Sequence, residues 1–231
     1  MSVLLVIPAR IGSKTVPRKN LEDVAGRPLI SFAIENAQSA KLVDRVIVST
    51  EDAEIAEVAR AWGAEVPFVR PAELAEDHVS LVPVVAHAAR SMDGLNWHAT
   101  VVVSLQPTAP LLRGSTLDAG IRLLLDTGCD SVVSVCRVDH NHPYWVQQMD
   151  EENRIRFYVP EGETTLQKQD LPPFYALCGS FYVRQRRLLD HYSGRDFCLG
   201  ADRRAIVVES REALDIDTPM DMALFRTLME G

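Results

Sequence analysis

The sequence predicts an α/β fold, a mainly parallel sheet with helices on both faces. Short apolar runs rich in β-branched residues alternate along the chain with segments of helical period, the pattern of parallel strands joined by crossover helices. The length of 231 residues, with 47 % apolar side chains, suits one large domain of this kind with a small appendage.

Val3 to Pro8 reads as a buried first strand. Pro28 to Ala40 reads as a helix, with proline tolerated in its first turn and Leu29, Phe32, Ala33 and Ala37 on one face. Arg45 to Ser49 is a strand, Glu51 to Trp62 a helix stopped by Gly63, Glu65 to Val69 a short strand, and Val79 to Ser91 a helix. The unit repeats with a strand at Thr100 to Leu105, a helix at Ser115 to Asp126 ending at Gly128, and a strand at Ser131 to Arg137. From about residue 138 to 175 the rhythm breaks into short alternating pieces around Val146 to Met149 and Ile155 to Val159, an insertion that must pack on something larger. Ala176 to Val183, Ala205 to Glu209 and a closing helix from about Thr218 to Met229 complete the chain, expected to be one domain over 1–231.

The formal charge of −8 argues against a general nucleic-acid or anionic-membrane binder. No apolar run approaches the roughly 20 residues of a membrane span, and no leader pattern is read at the N-terminus, so a cytoplasmic location is expected. Cys129, Cys136, Cys178 and Cys198 are irregularly spaced without a CxxC pair, and are expected to be free thiols.

Chemistry concentrates in three places. The first strand runs into residues 8–20, where Arg10, Lys14, Arg18 and Lys19 surround Gly12 and Ser13. Ligands of open α/β sheets collect beyond the carboxyl ends of the strands, so a cationic loop with close-approaching backbone there suits phosphates. It is neither a Walker A loop nor GxGxxG, and a solvated basic loop is the bland alternative. Asp215 and Asp217, alternating around Ile216, place two carboxylates on one face, a hard oxygen pair suited to Mg²⁺ with nucleotide phosphates. The alternative gives Asp217 or Thr218 only a helix-capping role. Gln106 and the Thr108 hydroxyl follow the Thr100 to Leu105 strand at the ligand edge, in a Gln-Pro-Thr segment that a plain turn also explains. The segment from Asp139 to Pro143 contains His140 and His142, without partners that would make it a metal loop. Tyr144, Trp145, Phe157 and Tyr158 suit packing within the insertion or across a dimer.

Ile7-Pro-Ala-Arg10, Ser13-Lys14, Pro17-Arg-Lys-Asn-Leu21, Val48-Ser-Thr50, Arg70-Pro-Ala-Glu-Leu74, Leu105-Gln-Pro-Thr108 and Asp215-Ile-Asp-Thr218 together closely resemble the acylneuraminate cytidylyltransferases, the CMP-sialic acid synthetases, over nearly the whole chain. The resemblance implies a Rossmann-like nucleotidyltransferase fold with a dimerisation arm at about 138–175, hence a homodimer, and Mg²⁺-dependent transfer of CMP from CTP to an acidic acceptor with loss of pyrophosphate. It implies triphosphate contacts from Arg10, Ser13, Lys14 and Lys19, and nucleotide contacts from Asn20 and Arg70. Acceptor contacts would come from Gln106, Lys168, Tyr175 and Gly179, and metal binding from Asp215 and Asp217. Lys19, Arg10 and the two aspartates would carry catalysis. Cys178 stands where the family has asparagine and Lys168 where arginine is common, so the acceptor region departs from the sialic acid pattern. A nonulosonic acid is the leading acceptor and a small phosphonate such as phosphonoformate the alternative. A catalytically silent nucleotide-binding protein is the competing class.

Overall fold

The computed structural model describes residues 1–12, 15–138, 140–194 and 196–230. Its strands are β1 (Val3–Pro8), β2 (Asp23–Val24), β3 (Arg27–Pro28), β4 (Arg45–Ser49), β5 (Val101–Leu105), β6 (Ser131–Arg137), β7 (Gln147–Met149), β8 (Ile155–Phe157), β9 (Tyr175–Gln185) and β10 (Arg203–Val207). Its α-helices are α1 (Leu29–Ser39), α2 (Ala53–Ala61), α3 (Leu81–Gly94), α4 (Gly114–Thr127), α5 (Arg186–Asp190) and α6 (Pro219–Glu230).

Six strands form one sheet in the order β10-β6-β9-β5-β1-β4. The pairs β1–β4, β1–β5 and β6–β10 are parallel, whereas β9 runs antiparallel between β5 and β6. Central β1 and β5 are buried along their length, which explains their continuous apolar runs. One apolar cluster joins Leu5, Ile7, Ile34 and Val103 to Leu117, Ile121 and Phe181, and a second joins Leu4, Val6 and Val102 to Val85, Ala89 and Met92. Helices therefore cover both faces, α1 and α4 on one and α3 on the other.

Local chemistry sets the element ends. Asp52 Oδ1 accepts the Ile55 amide at 2.9 Å and caps α2. At the end of α4 the chain turns left-handed at Gly128 (φ 68°), whose amide reaches Leu124 O at 2.8 Å. The strand expected at Glu65 to Val69 shrinks to a single parallel bridge between Ile47 and Glu65, because Pro67 lacks the amide that would extend the ladder. The sequence reading missed α5 and the β2–β3 hairpin, which turns through Ala25 (φ 52°) and Gly26 (φ 80°).

The insertion after β6 contains the antiparallel β7–β8 hairpin, which among the described residues forms a two-stranded sheet of its own. His142 is buried, its Nδ1 accepting the Tyr144 amide at 3.2 Å and its Nε2 lying 3.0 Å from Pro172 O, so both ring nitrogens are engaged within the chain. His142, Tyr144 and Phe174 form an edge-to-face cluster. None of the four cysteines forms a disulfide. Among the described residues no helix is long and apolar enough to cross a membrane.

Candidate active site

A cleft of about 600 Å³ opens where β1 and β5 end, the edge at which open α/β sheets bind ligands. It is lined by Arg10, Gly12, Lys19 and Asn20 from the first loop, Gln106 and Thr108 from the end of β5, Gly179 and Tyr182 from β9, and Asp215 and Asp217 before α6. Segments almost 200 residues apart in sequence thus meet around one space.

The first loop is held from beneath. Buried Asn20 donates from Nδ2 to Arg10 O at 2.9 Å, and buried Arg70 donates to Ala9 O at 3.1 Å while pairing with Glu51. Glu51 Oε1 also accepts the Ile11 amide at 3.0 Å, so one carboxylate fixes both the loop backbone and the arginine beneath it. Asn20 Oδ1 and Arg70 Nε are buried without partners. An unmet buried acceptor and donor cost stability, as groups kept for a ligand do. Arg10 donates to Ala75 O at 3.1 Å and pairs with Asp77 at 2.7 Å.

The acidic segment is fixed by burial and capping. Ile216 is wholly buried against Phe32 and Phe225, and its amide donates to Thr108 O at 2.9 Å, so its neighbours Asp215 and Asp217 turn the other way, into the cleft. Thr218 and Asp221 form a reciprocal cap: Thr218 N donates to Asp221 Oδ2 at 2.7 Å, and Asp221 N donates to Thr218 Oγ1 at 3.3 Å. Capping therefore falls to Thr218 and Asp221, and both upstream carboxylates face the cleft. Lys19 ties the two segments together, donating from Nζ to Ile216 O at 2.6 Å and to Asp217 Oδ1 at 3.0 Å. Asp215 Oδ1 is buried without a hydrogen-bond partner. Burial, reinforced by the neighbouring Asp217 charge, holds the Asp215 carboxyl above the usual carboxylate range, against the opposing pull of Thr108 and Lys19.

Of the residues singled out in the sequence, Arg10, Lys19, Asn20, Gln106, Gly179, Asp215 and Asp217 meet in the cleft. Arg70 lines a smaller adjoining cavity with Arg10 and Gln106. Arg18 turns aside to pair with Glu54. Lys168 and Tyr175 lie in the arm and at the start of β9, outside the cleft lining. Ser13 and Lys14 lie outside the described residues. Gly179 adopts φ 72° within a register shift of β9 against β6, where Ser134 Oγ accepts the Phe181 amide and donates to its carbonyl, both at 3.1 Å. Cys178 packs against the core, its Sγ accepting from Ser180 Oγ at 3.5 Å, and does not line the cleft. The sequence reading missed Glu51, Tyr182, Arg184 and Phe197; the Thr108 hydroxyl, noted at the ligand edge without a role, lines the cleft.

Residues 4–175 match the family described as Cytidylyltransferase. The chain is 32 % identical to pseudaminic acid cytidylyltransferase of Campylobacter jejuni subsp. jejuni serotype O:2, covering 99 % of this chain and 96 % of that one. It is also 32 % identical to CMP-N,N'-diacetyllegionaminic acid synthase of Legionella pneumophila subsp. pneumophila, covering 100 % and 97 %. In fold it resembles a CMP:2-keto-3-deoxy-manno-octonic acid synthetase solved with CTP, at TM-score 0.74 and 19 % identity over 100 % of this chain and 99 % of that one. A basic loop and an acidic pair lining one cleft, together with the family match over residues 4–175 and the relatives aligned along nearly the whole chain, establish that the protein belongs to the cytidylyltransferase family, as a relative of the CMP-sialic acid synthetases.

Proposed function

We propose that the protein transfers CMP from CTP to the hydroxyl of an acidic sugar of the nonulosonic class, releasing pyrophosphate. The observation that carries this reading is the cleft itself, where Arg10, Asp215 and the directly paired Lys19 and Asp217 line one space at the ligand edge of the sheet. The acceptor oxygen attacks the α-phosphorus, a P–O bond to the acceptor forms, the bond to the oxygen bridging to the β-phosphate breaks to release pyrophosphate, and the hydroxyl proton passes to water. Charge builds on the α-phosphoryl oxygens and the departing pyrophosphate, so cations fixed in advance stabilise the transition state more than the ground state.

Asp215 and Asp217 would hold Mg²⁺. Asp215 Oδ1, buried and unpartnered beside a second carboxylate, is the kind of oxygen a hard cation completes, and nucleotide phosphates and water would fill the remaining positions. Among the described residues no group of three or more His, Cys, Asp or Glu side chains could hold a metal alone, which fits a metal arriving with CTP. When bound, Mg²⁺ supplies charge neutralisation at the phosphates. Lys19 orients Asp217, Thr108 steadies Asp215, and Asn20 with Glu51 keeps the loop backbone in place. A cytoplasmic location is proposed with it, since the reaction consumes a nucleoside triphosphate.

The arm at about 138–175 is proposed as the contact of a homodimer. It leaves Met149, Ile155, Tyr158 and Leu166 between 63 % and 82 % exposed, far more apolar surface than such short strands can cover themselves. Ile155→Asp with Leu166→Asp should give a monomer in sedimentation at micromolar concentration where the unaltered protein sediments as a dimer; equal masses for both would contradict the assignment.

The acceptor is tested by supplying CTP and Mg²⁺ with pseudaminic, N,N'-diacetyllegionaminic, N-acetylneuraminic and 2-keto-3-deoxy-manno-octonic acids and phosphonoformate, and measuring pyrophosphate. Release is expected with a nonulosonic acid. Release with phosphonoformate alone would replace the sugar, and CTP binding without release across the panel would mark a silent nucleotide-binding protein.

A further inference from the structure

Arg184 is among the largest fully buried side chains, 1 % exposed, and lines the cleft at the end formed by Gly179, Tyr182 and Phe197. Its hydrogen bonds go only to neutral groups: Nε to Cys198 O at 3.1 Å, Nη1 to Ser104 Oγ at 3.2 Å and Nη2 to Phe197 O at 2.9 Å. Its guanidinium carbon sits 4.7 Å from the Tyr182 ring centroid, and that ring stacks on Phe197 at 6.4 Å.

A buried guanidinium is normally paired with a carboxylate. The other charged side chains buried to a similar degree obey this: Arg70 pairs with Glu51, and Arg186 with Asp93 and Asp190. Among the described residues no carboxylate lies within ion-pair distance of Arg184. Asp196 also lines the cleft, with its Oδ1 engaged by the Cys198 amide at 2.9 Å. Burial without a counter-charge pulls the Arg184 pKa down to about 10, which leaves the side chain charged near neutrality. The two other described cations of the cleft are already paired, Arg10 with Asp77 and Lys19 with Asp217.

We propose that Arg184 is a specificity-determining residue whose uncompensated buried charge, beneath the Tyr182–Phe197 wall, selects an acceptor by its carboxylate. The inference rests on the cytidylyl-transfer reading and adds to it the end of the cleft at which the acid group is recognised. Three of the five guanidinium N–H groups are used, leaving one on each terminal nitrogen. The low-permittivity surroundings also let the charge act over a few ångströms without direct contact. Arg184 further holds the Phe197 and Cys198 carbonyls, so it must be distinguished from a residue that only shapes the wall.

The test is calorimetric titration of the CMP-loaded protein with the acid that supports turnover and with its neutral carboxamide. The protein is expected to bind the acid at least about 10-fold more tightly than the amide, Arg184→Gln and Arg184→Met to erase that preference, and Arg184→Lys to keep most of it, with CMP affinity within about 3-fold throughout. A role confined to shaping the wall would weaken acid and amide together, and that result overturns the proposal. Equal binding of acid and amide by the unaltered protein overturns it as well, whether or not the neutral variants fold. Failure of every acid to support turnover would overturn the functional reading itself, a result recognisable before any variant is made.

Discussion

Lys19→Ala is expected to lower pyrophosphate release by about 10²- to 10³-fold with every acceptor, the loss that follows when one preorganised donor is removed from a developing oxyanion. Lys19 is the point at which the two functional segments touch. Its side chain is 11 % exposed, and Nζ reaches both Ile216 O and Asp217 Oδ1. Thr15 Oγ1 also donates to Asp217 O at 2.5 Å, so the segments keep one tie when the lysine is gone. The fold should survive, and thermal melting separates lost activity from lost structure. Release at the unaltered rate in a folded variant would remove Lys19 from the catalytic role.

Asp215→Asn should have a comparable or larger effect on turnover with an opposite effect on stability. The carboxylate is half-buried, one oxygen has no partner, and burial with the Asp217 charge raises its pKa. A carboxyl whose folded pKa exceeds its unfolded value favours folding most when protonated. The penalty is absent below the unfolded value, grows as pH rises through the interval between the two, and persists above it. Near neutrality, without metal or nucleotide, the asparagine variant should therefore melt at a higher temperature than the unaltered protein while releasing pyrophosphate at least about 10²-fold more slowly. Added Mg²⁺ with CTP should stabilise the unaltered protein more than the variant. A lower melting temperature together with an unchanged Mg²⁺ dependence would contradict both the buried-charge argument and the metal assignment.

The central strands were legible because they are buried on both faces, so Val3–Pro8 and Val101–Leu105 read as unbroken apolar runs, and Gly128 marked a helix end by its left-handed turn. The antiparallel direction of β9 was not legible, since a buried strand carries the same pattern in either direction. The one-bridge remnant at Glu65 could be anticipated only by weighting Pro67 above its apolar neighbours. In the site, the basic loop and the aspartate pair stood out because their charges interrupt apolar context at strand ends. Arg184 was hidden for the reverse reason: on an apolar strand beside Arg186 and Arg187 it looks like part of a surface charge run. Only the sheet shows that it is fully buried, whereas Arg187 is exposed and pairs with Asp130. Glu51 gave no signal either, because its partners Ile11 and Arg70 are brought to it by the fold.

Cytidylyl transfer itself is tested most directly by ³¹P NMR of CTP, Mg²⁺ and the accepted acid with catalytic protein. The proposed reaction requires one new phosphodiester resonance, from CMP joined to the acceptor, and one pyrophosphate for each CTP consumed. Conversion of CTP to CDP and phosphate, or to free CMP and pyrophosphate with no adduct at any time, would contradict it.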